Sequence, residues 1–183
     1  MRTQIVHGAD GAVRAIRHSW SFDHMFSAFA TTGLPAKTQG AFTREELAPL
    51  AEVNVTSLQE YEYFTFAKAD GKRVAVNAPT DYWLEFTDGV LTLHFTLALR
   101  KPIKTPTFSV EIYDPTAYID FAFDDGDAVT LAGASDSCKL TVERPKRIGR
   151  TQALSLGEAF FNSLSRSSNF GAQFAGKIFV QCP

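Results

Sequence analysis

Hydrophobic and polar residues alternate with a period of two through most of this chain. The clearest run is Leu91-Thr92-Leu93-His94-Phe95-Thr96-Leu97-Ala98-Leu99. Side chains alternate across an extended strand, so Leu91, Leu93, Phe95, Leu97 and Leu99 share one face and His94 stands on the other with Thr92 and Thr96. The same period predicts strands over 2–7, 12–20, 61–68, 73–76, 81–86, 90–99, 108–113, 118–123, 128–131, 138–143 and 174–182. Asp70-Gly71 and Asp88-Gly89 fall between strands where two-residue hairpin turns need positive φ, and Gly8-Ala9-Asp10-Gly11 separates the first two strands. Asp114-Pro115 ends the strand that closes on Tyr113.

The period changes to 3.6 in three places. Phe22, Met25, Phe26 and Phe29 make an apolar stripe for a helix over 21–32, capped by Ser21 and stopped at Gly33. Thr43-Arg44-Glu45-Glu46 has the spacing of a capping box and opens a second helix, whose stripe is Leu47, Leu50, Ala51 and Leu58 and in which Pro49 predicts a kink or a restart. A third helix, near 155–165, carries Leu156, Ala159, Phe160 and Leu164. Short turns between strands, with no alternation of strand and helix, exclude a parallel doubly wound sheet. The expected fold is α+β: a mainly antiparallel β-sandwich with an EF-hand-like helical insertion at about 21–60 and a C-terminal helix, the whole of 1–183 forming one domain.

Composition narrows the function. Hydrophobic residues at 45% and charged residues at 21% suit a packed domain, and sixteen Phe supply much of its core. A net charge of −2 with scattered basic residues argues against nucleic acid as a partner. No apolar run reaches the ~18 residues of a membrane span, so the chain is not expected to cross a bilayer. The first residues, Met1-Arg2-Thr3-Gln4-Ile5-Val6, lack the apolar centre of a secretory leader.

Candidate chemistry is sparse. There is no Gly-x-Ser-x-Gly and no phosphate-cradling glycine loop, so no enzyme is expected; a serine or cysteine held in a cleft within reach of His18 or His94 would contradict that. Asp124-Asp125-Gly126-Asp127 reads as a turn. The metal candidates are His18, Asp23 and His24, gathered within seven positions at a strand-to-helix junction, where imidazole and carboxylate suit Zn²⁺ or Ni²⁺. The loop over 35–46 has EF-hand spacing, with Gly40 at the glycine turn and Glu46 at the bidentate acid, but Pro35, Lys37 and Gln39 stand where carboxylates belong, so it reads as a degenerate calcium loop that binds no Ca²⁺. Cys138 shares strand parity with Leu140 and Val142, and Cys182 with Ile178 and Val180. Both thiols point inward, either bonded to each other or as two separate buried groups.

Several segments together resemble a known family. They are Arg17-His18-Ser19-Trp20-Ser21-Phe22-Asp23, Glu46-Leu47-Ala48-Pro49-Leu50-Ala51, Glu52-Val53-Asn54-Val55, Tyr63-Phe64-Thr65, Asp81-Tyr82-Trp83-Leu84-Glu85-Phe86, Val110-Glu111-Ile112-Tyr113-Asp114-Pro115 and Gly171-Ala172-Gln173-Phe174. In order and spacing they resemble a bacterial domain-of-unknown-function family described as the periplasmic component of an uncharacterised ABC-type transport system, similar to the Zev-type zinc-uptake component. The resemblance implies a periplasmic accessory or binding component of a transition-metal (zinc or nickel/cobalt-type) transport system, with an inner-membrane nickel/cobalt-type permease as partner. It also implies an oxidising compartment and hence a Cys138–Cys182 disulfide. Family members begin, after a leader, with a His-Pro-His segment entering the first strand, whereas Met1 here already falls inside that strand. The rival expectation is a β-sandwich binding module for another small ligand or a protein, with no metal role.

Overall fold

Alternation becomes strand wherever one face of the segment finds a core. The computed structural model describes residues 1–35, 40–145 and 170–183. Its elements in chain order are β1 (Arg2–His7), β2 (Val13–Ser21), α1 (His24–Thr31), α2 (Arg44–Gln59), β3 (Thr65–Ala69), β4 (Lys72–Val74), β5 (Tyr82–Thr87), β6 (Val90–Ile103), β7 (Thr107–Ile112), β8 (Val129–Ala132), β9 (Lys139–Glu143) and β10 (Gly176–Gln181), with short 3-10 turns at Glu62–Phe64 and Phe170–Phe174. The strands form two five-stranded sheets, ordered β5-β6-β2-β1-β8 and β4-β3-β7-β10-β9.

The register follows the apolar pattern. Ile16 of β2 stands opposite Ile5 of β1 and Leu97 of β6, and Trp20 opposite Leu93. In the second sheet Val110 of β7 stands opposite Ala67 of β3 and Ile178 of β10. The buried faces of both sheets contribute to one contiguous core, which includes Ile5, Ile16, Leu93, Phe95, Val110 and Ile178. Each such large side chain contributes about 1.5–3 kcal/mol on burial. Asp70 with Gly71, and Asp88 with Gly89, all have φ between 47° and 76°, the paired positive values of the tightest hairpin turns.

Three sequence expectations change, while the mainly antiparallel pairing holds. The 61–68 strand starts only at Thr65, because Glu62, Tyr63 and Phe64 turn through left-handed backbone first. Residues 118–123 form no strand; the Asp114 carboxylate accepts the amides of Tyr118 and Ile119 and bends the chain around itself. Among the described residues every pairing between named strands is antiparallel except β1 with β8, which run parallel. β8 lies far from β1 in sequence, and alternation carries no information on the direction of a distant neighbour.

The third change concerns α1. Asp23, not Ser21, is its N-cap, accepting the Phe26 amide at 2.8 Å. Its apolar stripe faces outward: Met25 is 83% exposed and Phe29 78%. Hydrogen bonds set this phase. The Ser27 hydroxyl, fully buried, accepts the Leu91 amide at 3.0 Å and donates to the Asp23 carbonyl at 2.7 Å, and the Phe22 amide donates to the Leu91 carbonyl. The helix is pinned to the start of β6 by its serine, which leaves Met25 and Phe29 on the far side while Phe22 packs against the core.

α2 starts where its sequence implies, and Pro49 does not restart it. Thr43 and Glu46 complete the capping box, with the Thr43 amide donating to the Glu46 carboxylate at 2.8 Å. Leu47, Ala51 and Val55 are buried, and Phe42, just before the helix, meets Phe86 edge-on at 5.2 Å. Pro49 lies within a helix that runs on to Gln59. Gly40 has φ +76° and Glu46 is engaged in the cap, but residues 36–39 of the expected EF-hand-like loop lie outside the described residues, as does the whole segment 155–165 where a helix is expected.

Candidate functional site

The run Glu62-Tyr63-Phe64 has φ of 53°, 54° and 48°, in a segment without glycine. Left-handed backbone costs an L-residue about 1–2 kcal/mol, so the turn stores several kcal/mol unless its surroundings compensate. They do so through burial of the Tyr63 and Phe64 rings and through hydrogen bonds. The Tyr63 carbonyl accepts the Thr65 hydroxyl at 2.7 Å, and the Phe64 carbonyl accepts the Tyr113 amide at 3.1 Å.

Across from this turn stands the Asp114 loop. Asp114 is buried, and its carboxylate accepts the Thr116 amide, the Thr116 hydroxyl and the amides of Tyr118 and Ile119 at 2.8–3.1 Å. Ala117 in this loop is also left-handed, at φ 57°. Gly171 clamps the loop from behind. Its amide donates to the Pro115 carbonyl at 2.9 Å, and a Cβ there would lie 1.7 Å from the Asp114 carbonyl oxygen.

Between turn and loop lies a cavity of about 410 Å³. One wall is α2, through Asn54, Ser57 and Leu58; another is Tyr61 and Phe64; the third is the Asp114 loop. Tyr118, 88% exposed, forms its lip with half-exposed Ile119. Apart from the two hairpin aspartates, the left-handed non-glycine residues among the described residues are Glu62, Tyr63, Phe64 and Ala117; Phe64 lines the cleft and Ala117 lies in the loop that forms its third wall. Three of the segments that carry the family resemblance line the cleft, through Asn54, Phe64 and Asp114, and a fourth holds the Asp114 loop through Gly171. Backbone strain gathered on both sides of an open cleft marks it as the candidate binding site.

Sequence reasoning missed this site. Asp114-Pro115 signals only a strand end, and no glycine announces the left-handed turn. The one available signal was Asp-x-Thr at Asp114 and Thr116, the spacing of an Asx turn.

The sequence-nominated residues are spread differently. His18 is fully buried between the two sheets. Its Nδ1 lies 3.2 Å from the Thr3 hydroxyl and its Nε2 3.2 Å from the Thr65 hydroxyl. Because Thr65 donates its own hydrogen to the Tyr63 carbonyl, it accepts from Nε2–H, which leaves Nδ1 to accept from Thr3. Both nitrogens are therefore engaged, and burial pushes the imidazole pKa down to about 3. Asp23 is committed to the α1 cap, and His24 lies in the first turn of that helix, its ring beside Gly89. Among the described residues no group of three or more His, Cys, Asp or Glu side chains is placed to hold a metal ion.

His94 stands on the outer face of the first sheet. Its Nδ1 is 2.9 Å from the Ser19 hydroxyl, and Glu85 Oε2 approaches Nε2 at 3.3 Å without the alignment of a hydrogen bond. Trp83 stacks on the ring at 4.7 Å, and the Arg44 guanidinium lies 4.6 Å over Trp83. Desolvation lowers the His94 pKa, with Glu85 opposing it. Serine, imidazole and carboxylate thus do come within reach of one another, but as cross-strand neighbours; the 410 Å³ cleft is lined by other residues. The contact ties the start of α2 to β5 and β6 through Trp83.

Cys138 and Cys182 form a disulfide, with Cα atoms 4.3 Å apart. Lys139 pairs with Gln181 in the β9–β10 ladder, so the cysteines are the next facing pair at its end, and the bond staples the last strand to the sheet edge. No helix among the described residues is long and apolar enough to cross a membrane.

No solved structure matches the chain. Two relatives are similar to parts of it. One is the uncharacterized 15.5 kDa protein in the trpE 3′ region of Spirochaeta aurantia, 34% identical over 94 residues, covering 50% of this chain and 66% of that protein. The other is an uncharacterized protein of Haemophilus influenzae, 26% identical over 151 residues, covering 78% of this chain and 70% of that protein. The chain thus spans just under two thirds of the first relative's length. Residues 1–182 match the pattern of a family described as protein of unknown function DUF1007, and the chain belongs to that family.

Proposed function

We propose that this protein works in the periplasm as a non-catalytic accessory or binding component of a transition-metal transport system, of zinc or nickel/cobalt type. In this reading it is a β-sandwich that engages an inner-membrane nickel/cobalt-type permease through the cleft between α2 and the Asp114 loop. The cleft is the observation that carries the reading. It is open, partly apolar and lipped by an exposed tyrosine, the residue type that supplies rigid contact area at binding surfaces. The disulfide supports a compartment outside the reducing cytosol. The transport role comes from the family resemblance of the sequence.

The test is metal accumulation in cells. Deleting the protein should lower zinc or nickel uptake, and Ser57→Arg, an exposed position on the cleft wall, should reproduce the defect in a protein that still folds. Unchanged uptake in both strains would overturn the proposal. A second reading, a binding module for an apolar small ligand or peptide with no metal role, is favoured by the cleft walls themselves, which include Leu58, Tyr61, Phe64 and Ile119 and no histidine or cysteine. Ligand capture by the cleft that is blocked by Ser57→Arg, together with normal metal uptake, would select it.

A further inference from the structure

The cleft between α2 and the Asp114 loop contains a charge that its walls do not balance. Asp114 is 4% exposed, and among the described residues no ammonium, guanidinium or imidazole pairs with its carboxylate. Three backbone amides and the Thr116 hydroxyl fill the acceptor positions of its two oxygens, and none of these donors carries a positive charge. Buried charges are ordinarily paired, because their desolvation is otherwise poorly compensated. No lysine, arginine or histidine lines the cleft.

The groups that do line it are acceptors and rings. The Asn54 side-chain amide donates to the Leu50 carbonyl at 2.8 Å, which leaves its Oδ1. The Ser57 hydroxyl donates to the Val53 carbonyl at 2.8 Å and the Thr116 hydroxyl to Asp114, so each oxygen keeps its lone pairs while its hydrogen is spent. The Tyr61 and Phe64 rings stack at 5.2 Å in one wall, and exposed Tyr118 stands at the lip. Aromatic faces attract cations through their quadrupole, and a carboxylate attracts them more strongly where water is excluded. A metal ion is a poor match, because the Asp114 oxygens are already engaged and no group of three ligating side chains is placed to hold one among the described residues. A diffuse organic cation needs ring faces and scattered acceptors, which is what the cleft offers.

We propose that the cleft receives a basic side chain of its protein partner, an arginine whose guanidinium lies among Tyr61, Phe64 and Tyr118 and balances the Asp114 charge. A planar guanidinium stacks on rings and donates to several acceptors at once, here Asn54, Ser57 and Thr116. The proposal rests on the reading of this cleft as the partner site and names the chemistry that the partner brings to it.

The test is titration of the oxidised protein, followed by calorimetry and by the Tyr118 ring resonances. Three probes are compared: the peptide acetyl-Gly-Arg-Gly-amide, the same peptide carrying citrulline, which has nearly arginine's shape without its charge, and tetramethylammonium. The arginine peptide should bind and move those resonances, and the citrulline peptide should bind about tenfold more weakly. Tyr118→Ala should weaken the arginine peptide about fivefold, the loss typical of one cation–π contact, and Tyr118→Phe, which keeps the ring, should bind it more tightly than Tyr118→Ala does. Tyr118 is exposed, so its substitution leaves the fold intact and the result readable even if Asp114→Asn fails to fold. Equal binding of the arginine and citrulline peptides, or no binding of the arginine peptide at millimolar concentration, would overturn the proposal. Tetramethylammonium bound more tightly than the arginine peptide would overturn it too, by assigning the cleft to a free organic cation. The partner reading itself is decided by metal uptake in the Ser57→Arg strain, so the two failures are distinguishable.

Discussion

Acid should destabilise this protein through His18, and the structure sets both sign and size. The imidazole is fully buried, its polar contacts are two threonine hydroxyls, and its ring neighbours are Trp20 at 5.3 Å and Phe95 at 4.9 Å. No carboxylate offsets the desolvation, which takes its pKa from 6.5 to about 3. Between those values the unfolded chain binds a proton that the folded chain refuses, so stability rises with pH across this window. The contribution is complete above pH 6.5 and is lost progressively as pH falls toward 3. Each pH unit is worth about 1.4 kcal/mol, giving a loss of ~2 kcal/mol at pH 5 and a limit of roughly 5 kcal/mol. That limit is comparable to the whole stability of a domain of ordinary marginality. The assay is urea unfolding by tryptophan fluorescence between pH 7.5 and 4.5, with the disulfide kept oxidised, on the unaltered protein and on His18→Leu. The variant should lose about 1–2 kcal/mol at pH 7.5, where the Thr3 hydroxyl loses its acceptor, yet close that gap as pH falls. Surface carboxylates titrate equally in both proteins, so the difference between them isolates His18. Parallel pH profiles would refute the reasoning.

Other perturbations test the remaining geometry. Gly171→Ala should destabilise by ~2 kcal/mol or more, because its Cβ would collide with the Asp114 carbonyl, and thermal unfolding that is unchanged would mean the clamp is not needed. Reducing the Cys138–Cys182 bond, which spans 44 positions, should lower stability by about 2–4 kcal/mol without changing the far-UV spectrum; an unchanged denaturation midpoint would show that the staple contributes nothing. Phe29→Ser should alter stability by less than ~0.5 kcal/mol, since the ring faces outward, and a large loss would mean that α1 buries its apolar stripe as the sequence suggested. Calorimetry should show zinc affinity reduced by His24→Ala more than by His18→Leu, because the His18 nitrogens are already engaged; the reverse order would place a metal in the core.

Local rules of the chain alone set a good part of this molecule. The leucine alternation of β6 specified its buried face, since a one-residue slip would bring His94 into the core and the leucines out. Asp-Gly pairs specified two hairpins, and Thr43 with Glu46 specified the start of α2. Cysteine parity placed both thiols at strand ends where they could meet, although only the ladder register made them a facing pair. Tertiary structure decided the rest. The stripe of α1 is amphipathic by sequence, yet Ser27 and Phe22 anchor the helix to Leu91 by hydrogen bonds, so Met25 and Phe29 are left outward. His18 was legible as a residue on the Ile16 and Trp20 face, but only the approach of Thr65 from the other sheet fixed both its nitrogens. The cleft is non-local throughout: Asn54, Phe64 and Asp114 belong to three separate segments, Gly171 of a fourth holds the Asp114 loop, and the left-handed turn survives because rings and strands distant in sequence hold it. Periodicity encodes which side of a segment is apolar; what lies against that side is settled by packing among elements that no local window contains.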